Sequence, residues 1–226
     1  MISCNDLSFS YSDEAFSLEI EKLSIDSAEK VALVGPSGSG KTTLLKLLSG
    51  ILFPERGKIE IDSQMVTELS KTERSRFRIK NIGLVPQQFE LLDYLTVREN
   101  ILLPFRVSGS QSLNKEVEQN ADVLMERVGI HQHRDRLPNQ LSQGERQRTA
   151  ICRGLVAQPK AIFADEPTGN LDPEKQARIV DLLLEQANEI GSVVLMVTHE
   201  PSLLPQFDRA LDILDLRRII NPAKSS

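Results

Sequence analysis

Apolar and polar residues alternate along the first stretch of the chain. Between Ile2 and Ile25, Phe9 and Tyr11, then Phe16, Leu18 and Ile20, fall at every second position. That period predicts antiparallel strands with one buried face. Val31-Ala32-Leu33-Val34 is instead a continuous apolar run, the pattern of a parallel strand covered on both sides, and it leads through a glycine-rich turn into a helix carrying Leu44, Leu45, Leu47 and Leu48. Ile82–Val85, Ala161–Ala164 and Val193–Val197 predict further buried strands, and Glu145–Val156 and Pro173–Ile190 predict helices between them. Strands alternating with helices specify an α/β fold with a mostly parallel sheet, preceded here by an N-terminal antiparallel β subdomain. Residues 91–141 contain no buried-strand run. Val117, Ala121, Leu124 and Val128 recur there at helical spacing, which predicts a helical subdomain inserted into the α/β core. No repeat interrupts this order, so 1–226 reads as one domain with a short polar tail, frayed after Leu216.

Composition narrows the classes. A hydrophobic fraction of 40% over 226 residues supports one sizeable core. The formal net charge of −5 argues against nucleic acid as the main partner. Cys4 and Cys152 have no metal-like spacing and are expected as buried thiols of a reducing compartment. The apolar stretches around Ile101–Phe105 and Val193–Val197 are cut short by Pro104 and Thr198, well below the roughly 18–20 residues of a membrane-spanning helix. With no secretory signal at the N-terminus, the expected location is the cytoplasm. Any membrane span must come from another polypeptide.

The turn after the third strand carries the first chemistry. Gly35-Pro36-Ser37-Gly38-Ser39-Gly40-Lys41-Thr42 fits G-x-x-x-x-G-K-[ST] between a predicted strand and a predicted helix. Glycines let successive N–H groups of Gly35, Ser37, Gly38, Ser39 and Gly40 curl towards an anion, and the helix adds its positive end. Lys41 is placed for the β- and γ-phosphates and Thr42 for Mg²⁺, with Thr43 completing the nucleotide-binding set. A flexible capping turn is the bland alternative, and it does not require every motif position to be filled.

Ala161-Ile162-Phe163-Ala164 ends in Asp165-Glu166. In open α/β sheets ligands sit beyond the carboxyl ends of strands, so both carboxylates are expected to face the phosphates. Asp165 is the expected outer ligand of Mg²⁺, and Glu166 the general base on an attacking water. By itself such a pair is as often a solvated turn.

Leu141-Ser142-Gln143-Gly144-Glu145, followed by Arg146-Gln147-Arg148, resembles the signature sequence of ATP-binding-cassette ATPases, and the motif order of nearly the whole chain is similar to theirs. Ser142 and Glu145 also spell a capping box. Two positions depart from the family pattern: Gln143 stands where glycine is usual, and Glu145 replaces the commoner glutamine. The resemblance implies a P-loop NTPase core binding ATP and Mg²⁺, with Ser142 and Gly144 reaching the nucleotide of a second subunit. It implies that Tyr11 stacks on adenine and that Gln87, after Ile82–Pro86, senses the metal and the water (Pro86 replacing a usual aromatic). His199 would hold the γ-phosphate, and Gly169-Asn170-Leu171-Asp172 would be the loop exchanged between subunits. As isolated residues these have ordinary readings: Tyr11 as core, Asp172 as the cap of the helix opened by Pro173.

Ala164-Asp165-Glu166-Pro167-Thr168-Gly169-Asn170-Leu171-Asp172 further resembles the lipoprotein-release, macrolide-efflux and cell-division branch, as does Leu91–Asn100. This implies a homodimeric ATPase on the inner face of a bacterial membrane, driving a separate integral-membrane permease. A regulatory ATPase of cell-division type, signalling without a transported substrate, is the alternative. The stretch from Asp208 to Arg218 is similar to the family's closing strand pair.

Overall fold

Strand β1 (Ile2–Ser10) lies antiparallel to β2 (Ser17–Ile25), in register from Ile2 opposite Ile25 to Ser10 opposite Ser17. The alternation slips once. Ile2 and Cys4 are buried, then Leu7 and Phe9, because the pairing shifts between Asn5 and Ser8 where Asp6 adopts φ 49°. A bulge of this kind bends the strand and keeps both halves of its apolar face on the core. The computed structural model describes residues 1–11, 16–107, 113–169 and 172–216.

After β3 (Lys30–Val34) and α1 (Lys41–Leu48), the chain returns to the first sheet as β4 (Arg56–Ile61) and β5 (Gln64–Met65), giving the order β2-β1-β4-β5. The Asp62-Ser63 link has positive φ at both residues, the conformation of a tight hairpin. Helix α2 (Lys71–Asn81) buries no residue fully and starts with a capping box between Ser70 and Glu73.

The second sheet is parallel throughout, in the order β6-β7-β8-β3-β9. It contains β6 (Ile82–Val85), β7 (Ala161–Asp165), β8 (Val193–Val197) and β9 (Arg209–Asp212). Between them come α3 (Val97–Val107), α4 (Lys115–Arg127), α5 (Gln143–Leu155) and α6 (Pro173–Glu189). α3 continues through Pro104, so the proline that interrupts the apolar run does not end the helix. At the C-terminus β9 supplies the first strand of the expected pair and is followed by the helical turn α7 (Ile213–Leu216), whose Ile213 is fully buried. Arg217, Arg218 and the tail lie outside the described residues.

Alternate residues of the parallel strands face different cores. Val31, Leu33, Phe163, Leu195 and Val197 pack with α1 and the antiparallel sheet, whereas Ala32, Ile162, Ala164, Val194 and Met196 pack under α5 and α6. A third apolar cluster joins α3 and α4 to Cys152 and Val156 of α5. The signature helix is therefore shared: Ile151 and Leu155 belong to the sheet's core, Cys152 and Val156 to the helical cluster. No helix among the described residues is long and apolar enough to cross a membrane.

Candidate active site

Strand register sets the site. Leu33 and Asp165 both pair with Val197, and Val85 pairs with Ala164. The strands end at nearly the same level, so Gly35, Gln87, Glu166 and His199 leave the sheet together at its carboxyl edge, as expected for a ligand site of an open α/β sheet.

The glycine loop leads directly into α1. Gly40 caps the helix at φ 100° without any side-chain cap, and a Cβ there would meet Phe16 Cζ at 2.9 Å. Glycine is thus required by conformation. Ser39 Oγ is buried without a hydrogen-bond partner among the described residues. Lys41 is 7% exposed, and its ammonium donates to the carbonyls of Gly35 and Pro36, each at 2.8 Å. The loop thereby holds a buried positive charge whose hydrogen-bond partners among the described residues are neutral carbonyls. Ser37, Gly38 and Thr42 are exposed on the loop and the first turn of the helix.

Two pairs of functional groups stand beyond it. Thr42 Oγ1 donates to Asp165 Oδ1 at 3.1 Å. Burial raises the Asp165 carboxyl above its ordinary value; the Thr42 bond opposes this, neighbouring Glu166 adds to it, and Lys46 and Lys41 pull it down. The second pair centres on Glu166. Its backbone is left-handed at φ 43°, an unfavourable conformation for a non-glycine residue, and is held by its N–H to Val197 O at 3.1 Å and by Gly169 N–H to its own carbonyl at 3.2 Å. Gln87 Nε2 donates to Glu166 Oε2 at 3.2 Å, and His199 Nδ1 lies 3.3 Å from the same oxygen. Gln87 is thus joined to the carboxylate expected to act on water and makes no hydrogen bond to the Thr42–Asp165 pair.

Tyr11 sits beside this loop, its hydroxyl 3.4 Å from Thr43 Oγ1. Its ring meets Phe9 edge-on at 4.8 Å between centroids and Phe16 at 6.0 Å, so one side of the ring belongs to the core. Ser142, Gly144 and Asp172 stand apart from the cluster. Ser142 N–H and Oγ–H both donate to Glu145 Oε2, at 2.7 and 2.8 Å, and Glu145 N–H returns to Ser142 Oγ at 3.4 Å. Gly144, in the first turn of α5, has an ordinary φ, and a Cβ on it would meet nothing within 4 Å. Asp172 caps α6 through Lys175 N–H and holds the Lys175 ammonium at 2.6 Å. That ammonium keeps its carboxyl below the usual range. Asn170 and Leu171 lie outside the described residues.

Sequence reasoning missed Arg153. From α5 it donates to the carbonyls of Glu90 and Phe89 at 2.6 and 2.7 Å, clamping the segment that follows Gln87 onto the signature helix. A lone arginine on a helix carries no spacing signal for a contact more than 60 residues away.

The family model described as ABC transporter matches residues 18–169. The chain belongs to the ABC transporter family. It is an ATP-hydrolysing cassette of that family. The lipoprotein-releasing system ATP-binding protein LolD of Hydrogenovibrio crunogenus is 42% identical over 187 residues, covering 83% of this cassette and 80% of the relative. That of Pseudomonas fluorescens is 38% identical over 216 residues, 94% of each chain. Among solved structures, the dimeric post-hydrolysis state of the ATP-binding cassette MJ0796 bound to ADP and Pi superposes with a TM-score of 0.83 at 30% identity. It covers 96% of this chain and 94% of that one.

Proposed function

We propose that this cassette is the motor subunit of a lipoprotein-releasing type of transporter. It closes as a homodimer on two Mg-ATP and drives a separate integral-membrane permease from the cytoplasmic face of a bacterial membrane. The observation that carries the reading is the convergence of Lys41, Thr42–Asp165 and Gln87–Glu166–His199 at one sheet edge. The names of the relatives favour release over the regulatory alternative.

The donor set suits Mg²⁺. Thr42 and Asp165 offer hard oxygens, burial raises the Asp165 carboxyl above its ordinary value so that its ionised form gains from a cation beside it, and magnesium bound with a nucleotide takes few protein ligands because phosphates and water complete its shell. When bound, the ion neutralises charge developing on the phosphates. The protein's own work begins with Lys41. Its ammonium exchanges two loop carbonyls for β- and γ-phosphate oxygens, a stronger charge-assisted contact, while the loop amides and Ser39 take the remaining oxygens. Tyr11 offers a ring face to adenine. Glu166 accepts the proton of the attacking water. Gln87 and His199 both engage Oε2, which leaves Oε1 as the oxygen for that proton, and His199 then steadies the γ-phosphate.

The second half of each pocket comes in trans. Glycine in a helix costs about 1 kcal/mol relative to alanine, yet Gly144 serves neither conformation nor packing within its own chain. A glycine with open space around it suits the close approach of another molecule, here the partner's triphosphate at the free end of α5. Asp172 and Gly169 border the exchanged loop. Residues 91–141 form the inserted helical subdomain, and the permease docks between it and the α/β core. Support for this is a cavity of about 420 Å³ lined by Ile51, Arg78, Leu103, Pro104 and Val107 as well as by Thr42 and Asp165. Ile51 and Val107 are exposed apolar residues at its rim.

The test is Glu166→Gln. It should bind ATP, lose turnover and accumulate as an ATP-dependent dimer on a sizing column. A variant that stays monomeric at saturating Mg-ATP and turns over like the parent would overturn the mechanism.

A further inference from the structure

Helix α2 carries five basic residues, Lys71, Arg74, Arg76, Arg78 and Lys80, against a single acid, Glu73, in a chain whose net charge is −5. None of the five forms an ion pair among the described residues, whereas exposed cations elsewhere, such as Arg106 and Arg178, are paired. Glu73 is spent on the helix cap, where its Oε2 accepts the N–H and the hydroxyl of Ser70 at 3.0 and 2.6 Å. Arg74 and Arg78 are seated on neutral groups. The Arg74 guanidinium lies 4.6 Å above the centre of the Phe53 ring, and Arg78 donates to Gly50 O at 3.3 Å. Lys71, Arg76 and Lys80 are exposed and make no hydrogen bond among the described residues. Apolar surface adjoins this charge: Ile51 is 47% exposed and Phe53 48%.

We infer that α2, with Ile51 and Phe53, is a membrane-surface site for the anionic phospholipid headgroups of the leaflet beside the permease. Arg78 and Ile51 also line the cavity of about 420 Å³ assigned above to the permease. A permease reaches that cavity from the bilayer, so its rim faces the lipid; to this extent the inference rests on the proposed motor function. Lipid phosphates attract cations near the surface, while exposed apolar side chains enter the boundary beneath the headgroups. Long basic side chains suit this role, because their stems lie along apolar surface and their charges reach outward. The arrangement favours lipid over a carboxylate of the permease. Lys71, Arg76 and Lys80 stand on more than one side of the helix and are held by no hydrogen bond, which matches a layer of mobile anions. A folded protein partner is read by fixed, paired groups.

The experiment follows co-sedimentation of the full chain, without nucleotide, with vesicles of phosphatidylcholine alone or mixed equally with phosphatidylglycerol. The chain should bind the anionic vesicles and not the neutral ones. Raising salt from about 0.1 M to about 1 M, which shortens the screening length from about 10 Å to about 3 Å, should release it. Lys71→Gln, Arg76→Gln and Lys80→Gln keep good helix formers at exposed positions, and each should weaken binding about fivefold. Arg178→Gln, which removes a paired cation on α6, should change it little. The chain has no tryptophan, so Phe53→Trp gives a single reporter whose emission should shift to the blue on anionic vesicles. Val123→Trp on α4 should show no shift. Equal binding to both vesicles, a triple glutamine variant that binds like the parent, or a shift at both tryptophans would overturn the inference. If neither vesicle retains the chain, the cations serve a protein partner and the lipid site falls. None of these arms uses ATP, so failure of the motor reading is seen separately, as a missing ATP-dependent dimer of Glu166→Gln.

Discussion

The two ends of the proposed pocket are built differently. At the carboxyl edge of the parallel sheet, strand register brings Lys41, Thr42, Asp165, Glu166, Gln87 and His199 together within one chain. At the start of α5, Ser142 and Glu145 satisfy each other in a closed cap, and Gly144 faces open space. The first arrangement leaves groups in need of a ligand: a buried lysine on neutral carbonyls, an unpartnered serine hydroxyl, a buried carboxyl pushed up by desolvation. The second leaves almost none. On the proposed reading one end is a preorganised anion site whose cost is met by folding, and the other must be opened by what binds to it.

The contrast can be broken at its strongest point by Glu166→Gln, which should lower kcat by about 10²-fold to 10⁴-fold, the range of general-base catalysis, without loss of ATP binding. Equal loss of binding would mean that the carboxylate holds the nucleotide instead. Arg153→Met tests the link between the two ends. Releasing the Phe89 and Glu90 carbonyls should lower kcat by about 10-fold to 10²-fold through misplacement of Gln87, with KM for ATP little changed.

Gly144→Ala sharpens the comparison from the other side. The isolated chain should become more stable by about 0.4–1 kcal/mol, since nothing meets the added methyl, while steady-state hydrolysis falls. Chemical denaturation and phosphate release measure both. Asp165→Asn gives a smaller effect on stability, with a defined sign. Burial holds the folded carboxyl above its unfolded value, so its ionised form burdens the nucleotide-free protein at neutral pH and the burden is lost as pH falls below the folded pKa. The variant should therefore melt slightly higher than the parent at pH 7, and the gap should close towards acid, while Mg-dependent hydrolysis is lost at every pH. The smallest effect concerns the thiols. Burial pushes Cys4 and Cys152 up to about 12, so a thiol reagent should label neither in the native protein and both after unfolding.

Much of this was legible from pattern alone. Ile82–Val85 and Val193–Val197 form strands with the bounds their apolar runs predict, because a strand covered on both faces has no polar residue to blur its ends. β4 and α2 were not legible for the opposite reason. β4 buries only Ile59 and Ile61 fully, and α2 buries none of its residues fully, so neither offers a strong hydrophobic period. The Ser70–Glu73 capping box was the signal available for α2. The similarity of the closing residues to a strand pair carries no sign that Ile213 turns inward to fill the core beside Gly35. Motif order was enough to nominate Gly35, Gln87, Glu166 and His199, each of which follows a strand end. Their pairings were not in the order. That Gln87 binds Glu166 and that Lys41 rests on its own loop depend on turns whose geometry has no sequence period.

The central claim is that each pocket needs two chains, and mixing tests it most directly. Lys41→Ala removes the phosphate grip of its own chain, and Gly144→Asp puts a carboxylate where a partner's triphosphate would approach, at a position with room for it. Each variant alone should release no phosphate from Mg-ATP. Mixed in equal amounts they form heterodimers with one intact pocket, and hydrolysis should reappear, at about a quarter of the parent rate for random pairing. A mixture as inactive as its components, with heterodimers present by sedimentation, or full activity of Gly144→Asp alone, would contradict it.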